Sequence, residues 1–166
     1  MYDELTEQDI QKMREELDER SGLLPELLEE VKRTRAFGDL SENFEYKAAK
    51  QALNRSRSRI RYLERMIKTA RIIEDRSGGG EVGLFDEVGI YIPEDGEEQT
   101  VRVVTTVRCN PLEGFVSREA PLGRALLGRR AGERVTVKVS EQYEYEVEIR
   151  SVKKGSDDGS APLLEY

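Results

Sequence analysis

Two acidic residues three places apart, Asp39 and Glu42, fall in a short polar connection between two long helical patterns. They are the strongest candidates for chemistry in the chain, partly by elimination. There is no histidine, so a serine or cysteine nucleophile would lack the imidazole that usually activates it. Cys109 is the only cysteine. An internal disulfide is therefore excluded, in keeping with a reducing compartment, and a zinc site has no ligands to draw on. Nothing near Cys109 in sequence would activate its thiol. What remains are carboxylates, and here two of them lie within one turn of chain. The same spacing is also that of a helix cap with its reciprocal partner: Asp39 can cap a second helix and Glu42 can answer it three places on. From spacing alone, capping is the stronger of the two readings.

The elements that would carry this turn are long. Ile10, Met13, Leu17, Leu24, Leu27 and Val31 recur at alternating three- and four-residue steps, with a polar place skipped at Arg20. Leu53, Ser56, Ile60, Leu63, Ile67 and Ala70 repeat that spacing. This is the heptad seam of a coiled coil, in which each stripe is buried only against another helix. Two such helices joined by a short connection form an antiparallel hairpin, each of about 30 residues and about 45 Å at about 1.5 Å per residue. Pro25 lies inside the first pattern, where it removes a backbone donor and should kink or loosen the helix rather than end it. Gly38 suits a left-handed close to the first helix. Phe37, Phe44 and Tyr46 flank the turn and are expected to pack it together.

Beyond Ser77-Gly78-Gly79-Gly80 the period changes to two. The glycines read as a flexible linker and not as a phosphate cradle, because no lysine-serine or lysine-threonine pair follows. Strands are expected over Val88–Ile92, Thr100–Val104, Arg134–Val139 and Tyr143–Val152. A short helix opened by proline and closed by glycine is expected over Pro121–Gly128. The fold class is thus α+β, divided into a hairpin over residues 1–76, a linker over 77–81, a β-rich domain over 82–154 and a mobile tail over 155–166.

The net charge of −7 argues against a protein that simply coats nucleic acid, but the mean hides an asymmetry. Acids dominate from Asp3 to Glu30, and bases dominate from Lys32 to Arg76. Within the basic stretch Arg57, Arg61, Arg65 and Lys68 follow helical spacing and line one face. Taken singly, each reads best as part of a solvated face balanced by the acidic first helix. No segment is long and apolar enough to cross a bilayer, and the acidic amino terminus is no secretory signal. A cytoplasmic protein without a membrane partner is expected.

The run Arg35-Ala36-Phe37-Gly38-Asp39-Leu40-Ser41-Glu42-Asn43-Phe44-Glu45-Tyr46 closely resembles the tip of the bacterial Gre transcript-cleavage factors. Asn110-Pro111-Leu112-Glu113-Gly114 and Pro121-Leu122-Gly123-Arg124-Ala125-Leu126-Leu127-Gly128 resemble a second part of the same family. The resemblance covers the chain from about Leu5 to about Val152 and implies a coiled-coil hairpin followed by an FKBP-like β-domain. It further implies that the β-domain grips the rim of the secondary channel of bacterial RNA polymerase, with Pro121, Leu122, Gly123 and Arg124 as candidate contacts. The hairpin then reaches the active centre, where Asp39 and Glu42 help hold a magnesium ion jointly with the polymerase. Cleavage of the nascent RNA 3′ end in a backtracked complex follows, with Arg57, Arg61, Arg65 and Lys68 facing that RNA. The protein is on this reading a monomeric cofactor of the polymerase and not itself an enzyme. This motif reverses the preference for capping at Asp39. Three rivals stand beside it: a Gre-like regulator that occupies the channel without promoting cleavage, a peptidyl-prolyl isomerase on the FKBP-like fold, and an adaptor that pairs its coiled coil with another chain.

Overall fold

A computed structural model describes residues 3–38 and 43–165. The chain divides into two compact units, one over residues 10–70 and one that joins residues 3–9 to everything from Arg71 onward.

The first unit is the helical hairpin. Helix α1 runs from Glu7 to Arg35 and helix α2 from Phe44 to Thr69. Pro25 sits inside α1 without ending it, as expected where flanking residues keep the apolar stripe going. The seam is buried at Ile10, Met13, Leu53, Ile60 and Leu63, and Ala49 and Met66 extend it. Leu17, Leu24, Leu27 and Val31 are only half-buried. The seam also contains a polar layer that periodicity did not reveal. Arg59 is 6 % exposed and donates from Nε and Nη2 to the Glu16 carboxylate at 2.6 and 3.2 Å. Glu16 also accepts from Arg20 at 3.0 Å, which explains the polar place skipped in the first stripe. Burial alone would raise the Glu16 pKa, but hydrogen bonds and charge from Arg59 and Arg20 outweigh it and hold the carboxyl below its ordinary value. Buried ion pairs of this kind contribute little net stability against an apolar pair, and their best-attested use is to fix register.

The second unit is built on a five-stranded mixed sheet in the order β5-β4-β3-β7-β6, with β3 Glu87–Ile92, β4 Glu97–Val104, β5 Phe115–Ser117, β6 Arg134–Lys138 and β7 Glu144–Lys153. Only β4 and β5 run parallel. Alternation sends Val88, Ile90, Ile92, Val101, Val103, Val135, Val137, Val147 and Ile149 to one buried face, where Leu126 of helix α3 (Pro121–Leu126) joins them. The four expected strands and the short helix are present. Strand β5 is too short to show a period, as is a two-residue parallel pair between β1 (Glu4–Leu5) and β2 (Arg71–Ile72).

The two segments expected to be mobile both have polar partners elsewhere in the second unit. The glycine-rich stretch at 77–81 belongs to the second unit, whose boundary with the hairpin falls at Ala70/Arg71. There Lys154 donates to Ser77 Oγ and to the Glu81 carbonyl, and Arg130 donates to the Gly79 carbonyl. The stretch after Gly155 is likewise fastened. Gly155 N–H donates to Asp86 Oδ1 at 2.8 Å, Ala161 is 3 % exposed in the core, and Leu164 N–H donates to the Val107 carbonyl at 2.6 Å. Composition suggested slack in both places because glycine and serine carry no apolar signal. The polar partners that these segments have lie far away in sequence.

The tail is held chiefly by Arg108, which is fully buried. Its guanidinium donates to Asp157 at 2.7 and 2.8 Å, to Asp9 at 3.0 Å and to the Ala161 carbonyl at 2.6 Å, and it stacks over the Phe85 ring at 5.0 Å. Asp9 itself closes a capping box at the start of α1, exchanging hydrogen bonds with Thr6 at 2.9 and 3.2 Å. Two predictions follow from these buried charges. Asp157→Ala should lower the unfolding free energy of the second unit by about 3 kcal/mol, read from urea unfolding, because it leaves a desolvated guanidinium half-compensated. For the hairpin, a depressed Glu16 pKa means that its ionised form favours folding. That contribution is complete above the ordinary carboxyl value of 4.5 and is lost as pH falls through the lower folded value. Acid titration of helicity should therefore show a downturn below pH 4.5 that Glu16→Gln flattens.

Candidate functional site

The end of the hairpin is organised by one side chain. Asn43 is the N-cap of α2: its Oδ1 accepts from Tyr46 N–H at 3.0 Å, while its Nδ2 donates to the Thr34 carbonyl at 2.6 Å. One amide thus satisfies an orphan donor at the start of α2 and an orphan acceptor at the end of α1. Thr34 is 1 % exposed, and its hydroxyl donates back to the Glu30 and Val31 carbonyls at 2.8 and 3.1 Å. Phe37 N–H also donates to the Thr34 carbonyl at 3.2 Å, and Gly38 follows with φ at +105°, a conformation suited to glycine. Asp39 and Glu42 lie outside the described residues. The capping reading for Asp39 is nevertheless displaced, because α2 begins at Phe44 and Asn43 occupies its cap.

Of the three aromatic residues at this end, two are largely exposed and Tyr46 is half-buried. Phe44 is 79 % exposed and Phe37 55 % exposed, which overturns the expectation that both are buried against it. Each ring instead has a cation over its face, Lys47 at 5.7 Å from Phe44 and Arg33 at 5.2 Å from Phe37. Lys50 stands in the same relation to Tyr46 at 5.9 Å. Residue type did not reveal this exposure; the nearest signal was the clustering of aromatics and bases within a dozen residues.

Along α2, Arg57, Arg61, Arg65 and Lys68 are all exposed and, three to four residues apart, share one face. Arg61 donates to Ser58 at 3.1 Å and Arg65 lies over Tyr62 at 5.7 Å. None of the four makes a salt bridge to an acid of α1 among the described residues, whereas Arg20, Lys32 and Arg33 of α1 all pair within their own helix. The solvated-face reading therefore lacks the direct charge pairs that would balance these bases.

In the second unit the four expected rim residues separate by role. Pro121 and Arg124 are exposed, Leu122 is half-buried, and Gly123 is buried. A Cβ on Gly123 would stand 2.1 Å from the Ser117 carbonyl oxygen, so that glycine exists to let α3 approach β5. Arg124 pairs with Glu119 at 3.1 Å. In the same unit Leu112 is 98 % exposed on the 3-10 turn Pro111–Glu113. A shallow depression lined by Gly89, Ile90, Glu98, Gln99, Thr100, Arg150 and Ser151 is polar and has no aromatic floor for a prolyl ring. Among the described residues no three acids or cysteines converge as a metal site, and no helix is long and apolar enough to cross a membrane.

The comparisons with known proteins divide the chain at nearly the same place as the structure. Residues 4–72 match the family described as transcription elongation factor, N-terminal, and residues 77–154 match transcription elongation factor, GreA/GreB, C-term. Transcription elongation factor GreA of Bacillus velezensis is 40 % identical over 134 residues, which is 80 % of this chain and 85 % of that protein. GreA of Thermotoga neapolitana is 41 % identical over 135 residues, 81 % of this chain and 86 % of that protein. Among solved structures, the GreA factor homolog 1 (Gfh1) protein of Thermus thermophilus aligns over 93 % of this chain and 100 % of its own at 26 % identity, with a TM-score of 0.43.

Asn43→Ala removes both hydrogen bonds at the hairpin end and should destabilise the first turn of α2 by about 1–2 kcal/mol. Amide hydrogen exchange at Tyr46 and Lys47 should accelerate accordingly, with the exchange of Leu53 to Leu63 little changed.

Proposed function

Because the chain belongs to the GreA/GreB family of transcription elongation factors, we propose that it enters the secondary channel of bacterial RNA polymerase with its hairpin leading and stimulates cleavage of backtracked RNA. The observation that carries this reading is the cap on α2. Asn43 occupies the N-cap of that helix and accepts from Tyr46 N–H, so the cap is not Asp39, and the connection between the helices carries two carboxylates, Asp39 and Glu42.

Carboxylate oxygens are hard ligands of the kind magnesium takes, and two of them leave most of an octahedral shell to water or to other proteins. Asp39 and Glu42 therefore fit a magnesium ion held jointly with the polymerase and not one held alone. A magnesium ion held there would supply charge stabilisation to the oxygens of an in-line phosphodiester displacement. The chain's own contribution is placement: a hairpin with a register-fixing polar layer carries the carboxylates, and Asn43 holds the two helix ends together behind them. The exposed bases Arg57, Arg61, Arg65 and Lys68 offer a track for the phosphates of the displaced RNA. Pro121, Arg124 and Leu122 supply the accessible part of the polymerase-facing surface. Gly123 contributes by packing, which its close approach to Ser117 supports.

The test is transcript cleavage in a backtracked elongation complex with magnesium, comparing the wild type with an Asp39→Asn, Glu42→Gln double variant. The wild type should release short 3′ RNA fragments, and the variant should bind polymerase with similar affinity yet cleave at least a hundredfold more slowly, as expected on losing charge stabilisation at the reacting phosphate. Binding by both with no difference in cleavage would make the protein a channel-occupying regulator. RNA cleavage by the purified protein without polymerase would sink the shared-metal part of the reading.

A further inference from the structure

One face of the paired strands β6 and β7 runs on past the core that it serves. Val135, Val137, Val147 and Ile149 of these strands are buried in that core. The same alternation places Val139, Tyr143 and Tyr145 on that face. Val137 is paired with Tyr145, and Val139 N–H donates to the Tyr143 carbonyl at 3.1 Å. At this end the cover stops. Val139 is 51 % exposed and Tyr143 48 %, and Tyr145 is half-buried at the edge of the core. Helix α3, which adds Leu126 to the covered part, has only six residues. The two tyrosine rings lie 6.0 Å apart between centroids. An apolar strip left open and rimmed by polar groups marks a surface that meets another molecule.

The charge around the strip decides what that molecule is. The β3–β4 turn brings Glu94, Asp95 and Glu97 to this end of the sheet, and the β6–β7 turn brings Glu141 and Glu144. The Tyr143 hydroxyl donates to Glu94 at 3.4 Å and so joins the two turns. None of these five carboxylates has a salt bridge among the described residues, whereas Glu98 and Glu146 of the same sheet pair with Arg150 and Arg134. Lys138, the base nearest in sequence, falls by alternation on the opposite face with Arg134 and Thr136. Nor does a cation stand over Tyr143 or Tyr145 among the described residues, although Tyr91 in the same sheet has Arg150 at 4.4 Å. Open ring faces and carboxylates both attract a guanidinium, and they oppose an anion. We propose that this end of the second unit docks a basic segment of a partner protein. The segment sets arginine against the rings and the acidic turns, and an apolar side chain against Val139. Arginine suits the site better than lysine, because its planar group stacks on a ring and still offers a fork to a carboxylate. The surface is separate from Pro121, Leu122 and Arg124. Strand β4 starts at this end with Glu97 and finishes at Val104 beside Ser117, against which Gly123 packs. That strand puts roughly 20 Å between the two surfaces, at about 3.3 Å per residue. The docking does not depend on whether the chain stimulates transcript cleavage.

The experiment is an amide NMR titration of the full-length protein with a capped peptide in which a pair of leucines is flanked on each side by a pair of arginines. Wild type is compared with Tyr143→Ser and with an Glu94→Gln, Asp95→Asn double variant. Tyr143 holds its turn through backbone groups, and Glu94 and Asp95 are exposed, so both variants keep the fold. Shifts should gather over residues 93–99 and 139–147. Each variant should weaken binding about fivefold, as expected on losing an exposed cation–π or charge-assisted contact, and lysine in place of arginine should weaken it as well. Three results would reduce the effect to general charge and overturn the inference: shifts spread over the acids of α1, wild-type affinity for Tyr143→Ser, or undiminished affinity for a peptide with glycine in place of leucine. Shifts at the same residues on concentrating the protein alone would make the occupant a second copy and overturn it too.

Discussion

A pair of helices about 40 Å long, at about 1.5 Å per residue, has little surface to bury except along the line where the two meet. Everything the hairpin end can do depends on that seam holding one register. An apolar heptad stripe gives cohesion but discriminates poorly between registers, since Leu, Ile and Met accept one another as neighbours. The Glu16–Arg59 pair, with Arg20 as second donor to the same carboxylate, tolerates no such slippage. A shift by one turn would strand a guanidinium that is only 6 % exposed. Register fixed in mid-seam is what allows Asn43 to find the Thr34 carbonyl at the far end. That bond in turn determines where the connecting residues begin and end.

Much of this was legible in the sequence because period is a strong signal. The two heptad stripes, the alternation of β3, β4, β6 and β7 and the proline-to-glycine bounds of α3 all emerged as expected, since each reflects one face of an element meeting one core. What stayed hidden were interactions between residues far apart in the chain. Arg59 looked like another base on a basic helix, and only its opposition to Glu16, 43 positions away, makes it part of the core. Arg108 lies 99 positions from Asp9 and 49 from Asp157, and no local pattern connects them. The contacts of the segments over 77–81 and after Gly155 were hidden for the same reason, because they are made with Lys154, Arg130 and Arg108, far away in the chain.

The candidate site was legible in a different way. Asp39 and Glu42 stood out because the rest of the chain lacks histidine and has one cysteine, yet their spacing suited a cap as well as a ligand pair. Asn43 is the cap that the structure shows, and it was passed over because Asp39 ahead of it satisfied the same rule. The aromatic residues were misread by a sound generalisation: rings beside turns usually pack. Here Asn43, Thr34 and Phe37 N–H hydrogen-bond the two helix ends, and the rings of Phe44 and Phe37 are left largely in solvent.

The distribution of charge follows one logic through both units. Where a cation must be buried, as at Arg59 and Arg108, acids meet it with short hydrogen bonds. Where cations face outward on α2, no acid of α1 is set against them among the described residues, although α1 is rich in acids. A chain with net charge −7 that keeps one unneutralised basic face does not attract nucleic acid indiscriminately, because the surrounding field opposes a bare polyanion at long range. On the proposed reading it would meet one only at contact distance, once the polymerase has brought the face and the strand together. The same holds for the carboxylate pair, too few to retain a magnesium ion in free solution. On the reading proposed above, both halves of the site would be weak alone and would act only in company, which would confine cutting of RNA to the complex that supplies the remaining ligands and the strand.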